Sequence, residues 1–141
     1  MKIFADANIL VTVINKEYPL YTTASRILSL ADKPPFKIFT SPVCLAIAFY
    51  FAEKKFRSAA AKEKLALLCK HIDIAEVSTA AVRSALTDPA VKDMEDGLEY
   101  YAALEAGCDC ILTENKKDFY FSRLEVLSCL DFYERHMARK K

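Results

Sequence analysis

The chain has 141 residues, of which 53% are hydrophobic and 28% are charged, so it is long enough to form one globular domain with its own core. The formal net charge of +1 excludes a strongly basic surface, and any contact with nucleic acid must come from local groups of positive residues. The two glycines are too few for a phosphate-binding glycine-rich loop. We therefore expect a single domain over residues 1–141.

The five cysteines are odd in number and lie in apolar segments, which favours reduced, mostly buried thiols in a cytoplasmic protein. The N-terminal sequence MKIFADANIL has an aspartate inside its apolar run and does not resemble a signal peptide. No apolar run reaches the roughly 18 residues that a membrane span requires. We expect a cytoplasmic protein without a membrane partner.

Strands and helices alternate along the chain. Hydrophobic periodicity and turn residues predict, in order, strand 2–5, helix 9–14, helix 21–31, strand 36–40, helix 43–52, helix 58–70, strand 72–77, helix 79–86, a helix that starts near 93–96 and ends at Gly107, strand 110–113, strand 124–128 and helix 129–137. Ser41 and Pro42 are typical of a helix start. This alternation predicts an α/β fold in which a parallel sheet lies between helices.

The segment 92–119 carries the most informative group of polar residues. Asp93 and Asp96 mark the start of a helix whose apolar stripe we expect to be Met94, Leu98, Tyr101 and Ala102. The strand that follows ends at Thr113, and a polar turn then holds Asn115 and Asp118.

Asp6 directly follows the first strand, as Asn115 and Asp118 follow the strand that ends at Thr113. Ligands of doubly wound sheets bind outside the carboxyl ends of the strands, so we expect Asp6 to meet Asp93, Asp96, Asn115 and Asp118 at one edge. Clustered carboxylates repel one another unless they are protonated or bind a cation. Magnesium suits such oxygen ligands and would support hydrolysis of a phosphodiester.

Simpler interpretations remain open for each residue. Asp6 and Asn8 could end a strand and cap a helix, and Asp93 and Asp96 could interact with a helix dipole for about 0.3–1 kcal/mol each. Asn115 and Asp118 could be ordinary turn residues. Catalysis through an aspartyl phosphate at Asp6 is another hypothesis. The usual pattern for that chemistry has a second aspartate two residues later, where this chain has Asn8.

Three groups of positive residues could contact phosphates: Lys54, Lys55 and Arg57; Lys116 and Lys117; and the tail 139–141. Lys116 and Lys117 are the best candidates, because the turn that holds them is next to the predicted metal site. Such contacts would be electrostatic and sensitive to salt.

Three segments together resemble the PIN domain family of metal-dependent ribonucleases: FADANIL near the N-terminus, TSPVCLA before the third helix, and DMEDGLEYYAALEAGCDCILTENKKDF. The last segment is the most specific, and the resemblance covers essentially the whole chain. It implies a three-layer α/β/α sandwich with a central parallel sheet.

The resemblance also implies roles for individual residues. Asp6, Asp96 and Asp118 match catalytic acids, which bind Mg²⁺ or Mn²⁺ together with Asp93 and Asn115, while Asn8 and Thr113 support the site. It further implies RNA as the substrate. Many family members are toxins of toxin–antitoxin pairs, so an antitoxin protein and a homodimer are implied partners.

One position departs from the family pattern. The third helix of family members usually carries a glutamate six residues after the serine that is Ser41 here, and that position is Ile47. We expect a divalent-metal-dependent endoribonuclease, with a PIN-fold module that binds RNA or a protein without cleaving RNA as the alternative.

Overall fold

A computed structural model describes residues 1–138, so the basic tail considered above lies outside the described residues. The regular elements, in chain order, are β1 (Lys2–Ala5), α1 (Ala7–Ile14), α2 (Leu20–Leu28), β2 (Lys37–Thr40), α3 (Pro42–Lys55), α4 (Ser58–Leu68), β3 (Asp73–Ile74), α5 (Thr79–Thr87), α6 (Met94–Glu105), β4 (Cys110–Leu112), β5 (Glu125–Leu127) and α7 (Cys129–Phe132). Short 3₁₀ helices cover Ser29–Asp32 and Lys116–Phe119, and a π-helical turn covers Tyr133–Met137.

The five strands form one parallel sheet in the order β3-β2-β1-β4-β5, flanked by the helices. The chain runs from β1 to β2 and β3 on one side, and later returns to place β4 on the other side of β1. The carboxyl ends of β1 and β4 are in register, since Ala5 pairs with Leu112. The predicted α/β/α class with a parallel sheet is confirmed, and the β1–β4 junction is its topological switch point.

The central strands are apolar because both of their faces are covered. Ile3, Phe4 and Ala5 of β1 and Ile111 and Leu112 of β4 are completely buried. This rigid, apolar centre ends where the polar residues Asp6 and Thr113 begin.

Local sequence signals define several helix ends as predicted. Ser41 caps α3 by accepting a hydrogen bond from Cys44 N at 3.2 Å, with Pro42 in the first turn. Asp93 caps α6 by accepting a hydrogen bond from Glu95 N at 2.9 Å. Gly107 follows α6 with a φ of +75°, a conformation that favours glycine after a helix.

Other elements differ from the predictions in length. The predicted strand 72–77 is reduced to Asp73–Ile74 at the sheet edge, where only β2 is a neighbour. The predicted helix 21–31 ends at Leu28 and continues as a 3₁₀ turn, and the closing helix ends at Phe132 before a π-helical turn.

The predicted apolar stripe of α6 is wrong in part. Met94 is 37% exposed, and Leu98 and Tyr101 are only partly buried. The residues of this helix that are buried are Gly97, Glu99, Tyr100, Ala102 and Ala103. The helix packs against both α5 and α3, so it buries a face that a single apolar stripe does not describe.

The five cysteines are all free thiols, and four of them are buried. Across residues 1–138 we find no helix with the length and apolar character needed to cross a membrane.

Candidate metal-dependent active site

A cavity of about 400 Å³ opens at the carboxyl ends of β1 and β4. The polar residues predicted from the sequence that line it are Asp6, Asn8, Asp93, Asp96, Asn115 and Asp118. They come from the junction between β1 and α1, the start of α6 and the turn after β4. The fold therefore brings together the three segments that the sequence marked as a site.

The carboxylate of Asp6 is held in one orientation by short hydrogen bonds. Its Oδ1 accepts from Ala7 N at 2.6 Å, and its Oδ2 accepts from Thr113 Oγ1 at 2.7 Å and from Asn8 Nδ2 at 3.2 Å. Asp6 is 7% exposed and Thr113 is completely buried. Thr113 does not line the cavity, but it fixes the residue that does.

Asn8 and the segment after β4 complete this network. Asn8 Nδ2 also donates to Thr113 Oγ1 at 3.1 Å, and Asn8 Oδ1 accepts from Glu114 N at 3.3 Å. Asn115 N donates to Thr113 Oγ1 at 3.0 Å. The ends of β1 and β4 are thus tied together by side chains as well as by the sheet.

Asp96 lies one turn into α6, with its side chain partly buried in the acidic cavity. Burial raises its pKa from 3.8 to about 7, and the charges of Asp93, Asp118, Asp6 and Glu95 raise it further in that order of importance. A carboxyl group in this environment strongly favours a nearby positive charge.

Three acids that were not predicted from the sequence also line this cavity: Glu17, Glu95 and Glu99. Glu99 is 2% exposed, and burial together with the neighbouring carboxylate of Asp6 raises its pKa from 4.5 to about 11. The thiol of Cys44 donates a hydrogen bond to Glu99 Oε1 at 2.8 Å. One ligand atom from each of Asp6, Cys44 and Glu99 lies within 4.8 Å of the others.

A sequence signal for Glu99 did exist. It follows Asp96 by three residues, which places both side chains on the same face of a helix. The predicted apolar stripe assigned a different face of α6 to the interior, and Glu99 was not among the predicted site residues.

The model of the PIN domain family matches residues 2–117 of this chain. The chain belongs to the PIN domain family. The curated protein Ribonuclease VapC1 of Aquifex aeolicus is similar to it, with 33% identity over 146 residues that cover 95% of this chain and 94% of the relative.

Solved structures share the fold at lower sequence identity. A structure of VapBC2 from Rickettsia felis bound to a DNA fragment from their promoter matches with a TM-score of 0.68 and 20% identity, covering 91% of this chain and 98% of that one. Mycobacterium tuberculosis VapC20, a Sarcin-Ricin loop cleaving toxin, matches with a TM-score of 0.61 and 19% identity, covering 77% of this chain and 86% of that one. A structure of VapBC-1 from nontypeable Haemophilus influenzae has a TM-score of 0.68 and 17% identity, with 92% and 99% covered.

Ile47, which the resemblance of the sequence to PIN domains matches with their usual glutamate on α3, lines the cavity. Glu53, the first acid of α3, lies six residues further on, is exposed and is not part of the cavity. Helix α3 therefore presents an apolar side chain to a cavity in which PIN proteins usually place an acid.

The lysines beside the site differ in their surroundings. Lys116 Nζ is paired with Asp131 Oδ2 at 2.7 Å, whereas Lys117 is exposed on the same turn. Neither lysine lines the cavity. In the other predicted group, Lys54 lies over the ring of Tyr50 at 4.2 Å from its centre, and Lys55 donates to the carbonyl of Asn15.

The donor set of the PIN site fits a divalent cation. Carboxylate and amide oxygens from several elements converge, and no ion pair among residues 1–138 includes Asp6, Asp96 or Glu99. Such hard oxygen ligands suit Mg²⁺ and Mn²⁺. The raised pKa of Asp96 indicates how poorly the protein alone compensates this negative charge.

Proposed function

We propose that this protein is a divalent-metal-dependent endoribonuclease of the PIN type, which hydrolyses RNA phosphodiester bonds. The convergence of Asp6, Asp96 and Asp118 in one cavity at the switch point of the sheet carries this proposal. The 33% identity to a curated ribonuclease over nearly the full length of both chains supports RNA as the substrate class.

In this proposal Asp6, Asp96 and Asp118 are the catalytic acids, and Asp93 and Asn115 complete the ligands of Mg²⁺ or Mn²⁺. An ion held by these residues would supply a more acidic water molecule as the nucleophile and would stabilise the charge that develops on the phosphodiester. In this proposal the side chains bind and orient the ion, and none of them forms a covalent bond with the substrate.

Asn8 and Thr113 act on Asp6. Their hydrogen bonds to Asp6 Oδ2 hold the carboxylate toward the cavity, as the outer partners of metal ligands commonly do. Preorganised ligands reduce the rearrangement that binding of the ion requires.

Lys117 is the best-placed contact for an RNA phosphate, because it is exposed on the turn between Asn115 and Asp118. Lys116 is a weaker candidate, since its ammonium group is paired with Asp131. Contacts of this type add affinity without reading the base sequence.

We propose the toxin of a toxin–antitoxin pair as the biological role, with an antitoxin protein and a second copy of the chain as partners. The relatives whose structures are described as VapBC complexes support an antitoxin. A cytoplasmic location belongs to the same proposal, and the five free thiols are compatible with it.

Ile47 supports a second candidate, a PIN module that binds RNA or a protein partner and cleaves slowly or not at all. The cavity then lacks the carboxylate that α3 usually provides. The two candidates differ in cleavage, while both allow the ion to bind.

Purified wild type and Asp96→Asn should be titrated with Mn²⁺ by calorimetry and then incubated with a mixed RNA pool. We expect wild type to bind the ion and to cleave RNA in an ion-dependent manner, and the variant to lose both. Binding without cleavage would favour the second candidate. Absence of binding by wild type would refute both the metal site and the proposed reaction.

A further inference from the structure

A buried glutamate lies where the cavity lacks the usual acid of α3. Glu99 is 2% exposed and lines the same cavity as Asp6, Asp96 and Ile47. Glutamates are almost never fully buried unless they have a partner. No lysine or arginine in the part of the chain that the structure describes forms an ion pair with Glu99.

The carboxyl group of Glu99 reaches across from α6 to α3. Its Oε1 accepts a hydrogen bond at 2.8 Å from the thiol of Cys44, which belongs to α3. Cys44 precedes Ile47 by three residues, so both side chains lie on one face of α3. Glu99 therefore contacts the face of α3 from which the usual glutamate would extend.

The position of Glu99 also allows it to share an ion with Asp6. One carboxylate oxygen of Glu99 and one of Asp6 lie within 4.8 Å of each other. Two oxygens that bind one magnesium-sized ion, each at about 2.1 Å, are separated by at most about 4.2 Å. Only a small movement, or none, would let both carboxylates contact one ion.

We propose that Glu99 provides, from α6, the carboxylate ligand that PIN proteins usually provide from α3. Cys44 is a positioning residue, because its thiol holds Glu99 Oε1 toward α3. This inference rests on the proposed metal-dependent function and predicts that the apolar side chain at position 47 does not remove an acidic ligand from the site.

The test compares Mn²⁺ binding by calorimetry, with no RNA present, in wild type, Glu99→Gln, and the double variant Ile47→Glu, Glu99→Gln. Glu95→Gln is the matched control, since Glu95 lies on the same helix and lines the same cavity but belongs to no close group of ligand atoms. We expect Glu99→Gln to weaken Mn²⁺ binding by about tenfold or more. Glu95→Gln should remain close to wild type, and Ile47→Glu should restore most of the affinity that Glu99→Gln loses.

Unfolding of each metal-free variant in urea shows whether it is folded. If Glu99→Gln does not fold, Glu99→Asp replaces it, because this change keeps the charge and shortens the side chain by one methylene group. Weakened Mn²⁺ binding by the aspartate variant would then support the inference.

Two results overturn the inference, and they are distinguishable from failure of the proposed function. If a folded Glu99 variant binds Mn²⁺ as wild type does, Glu99 is not a ligand, while the metal-dependent function stands. An equal loss of affinity in Glu95→Gln would make the effect one of total charge and would also refute a specific role for Glu99. If wild type binds no Mn²⁺, the proposed function fails together with the inference.

Discussion

The acidic cavity should destabilise the metal-free protein as the pH rises, and Asp96→Asn tests this directly. The pKa of Asp96 is raised from 3.8 to about 7 by burial and then by Asp93, Asp118, Asp6 and Glu95. An unfolded chain loses this proton near pH 4, whereas the folded chain retains it until about pH 7. Stability that is present below pH 4 is therefore lost progressively between pH 4 and pH 7.

The size of the effect follows from the pKa shift and from exposure. A shift of about three pKa units corresponds to about 4 kcal/mol at about 1.4 kcal/mol per unit. The side chain of Asp96 is only partly buried, and solvent screening reduces the contribution to on the order of 1–2 kcal/mol. Asparagine keeps the shape of the side chain and does not titrate. The raised pKa of Glu99 acts in the same direction in both proteins, and the charge of Asp96 is the smallest of its causes, so the difference between the proteins reports Asp96 together with its coupling to Glu99.

The assay is urea unfolding of wild type and Asp96→Asn in a chelator, at pH 4, 6 and 7.5. We expect the variant to be more stable by about 1–2 kcal/mol at pH 7.5 and nearly equal to wild type at pH 4. Glu63→Gln, an exposed change on α4 outside the cavity, serves as the control and should show no such trend. Adding Mn²⁺ should stabilise wild type more than the variant. A variant that is no more stable than wild type at pH 7.5 would refute the reasoning.

Three further predictions concern single side chains. Thr113→Val removes a hydrogen bond to Asp6 Oδ2 and should weaken Mn²⁺ binding about tenfold by calorimetry without changing the fold by circular dichroism; an unchanged affinity would contradict the orienting role. Lys117→Ala should weaken RNA binding at low salt and lower the slope of log affinity against log salt by about one in filter binding, and an unchanged slope would exclude a phosphate contact. Gly97→Ala should lower the free energy of unfolding in urea by about 1–3 kcal/mol, because the added Cβ would lie 2.5 Å from Val91 Cγ1. An unchanged free energy of unfolding would mean that the loop before α6 moves freely to accommodate the methyl group.

Much of the fold was predictable because its signals are local. The strand at Lys2–Ala5 ends at the first polar residue, Ser41 and Pro42 start a helix, and Gly107 takes the positive φ that follows one. The lengths of peripheral elements were less predictable. The third strand is short because it has one neighbour in the sheet, and this property depends on strand order rather than on composition.

The polar residues around the cavity also differ in how far the sequence predicts them. Asp6, Asn115 and Asp118 could be found because residues that follow parallel strands meet at one edge of the sheet. The ion pair of Lys116 could not be predicted from the sequence, since its partner Asp131 is fifteen residues away and belongs to another element.

The sequence by itself determined the parallel α/β architecture and the acids at the strand and helix ends, because both follow from local periodicity and from the geometry of parallel sheets. Only the tertiary structure decided that Glu99 is buried in the same cavity. Burial of a glutamate depends on which helices pack around it, and the contact between Glu99 and Cys44 joins residues 55 positions apart. The apolar residue at position 47 could be read from the sequence, whereas the proximity of Glu99 to α3 depends on the packing of α6 against α3.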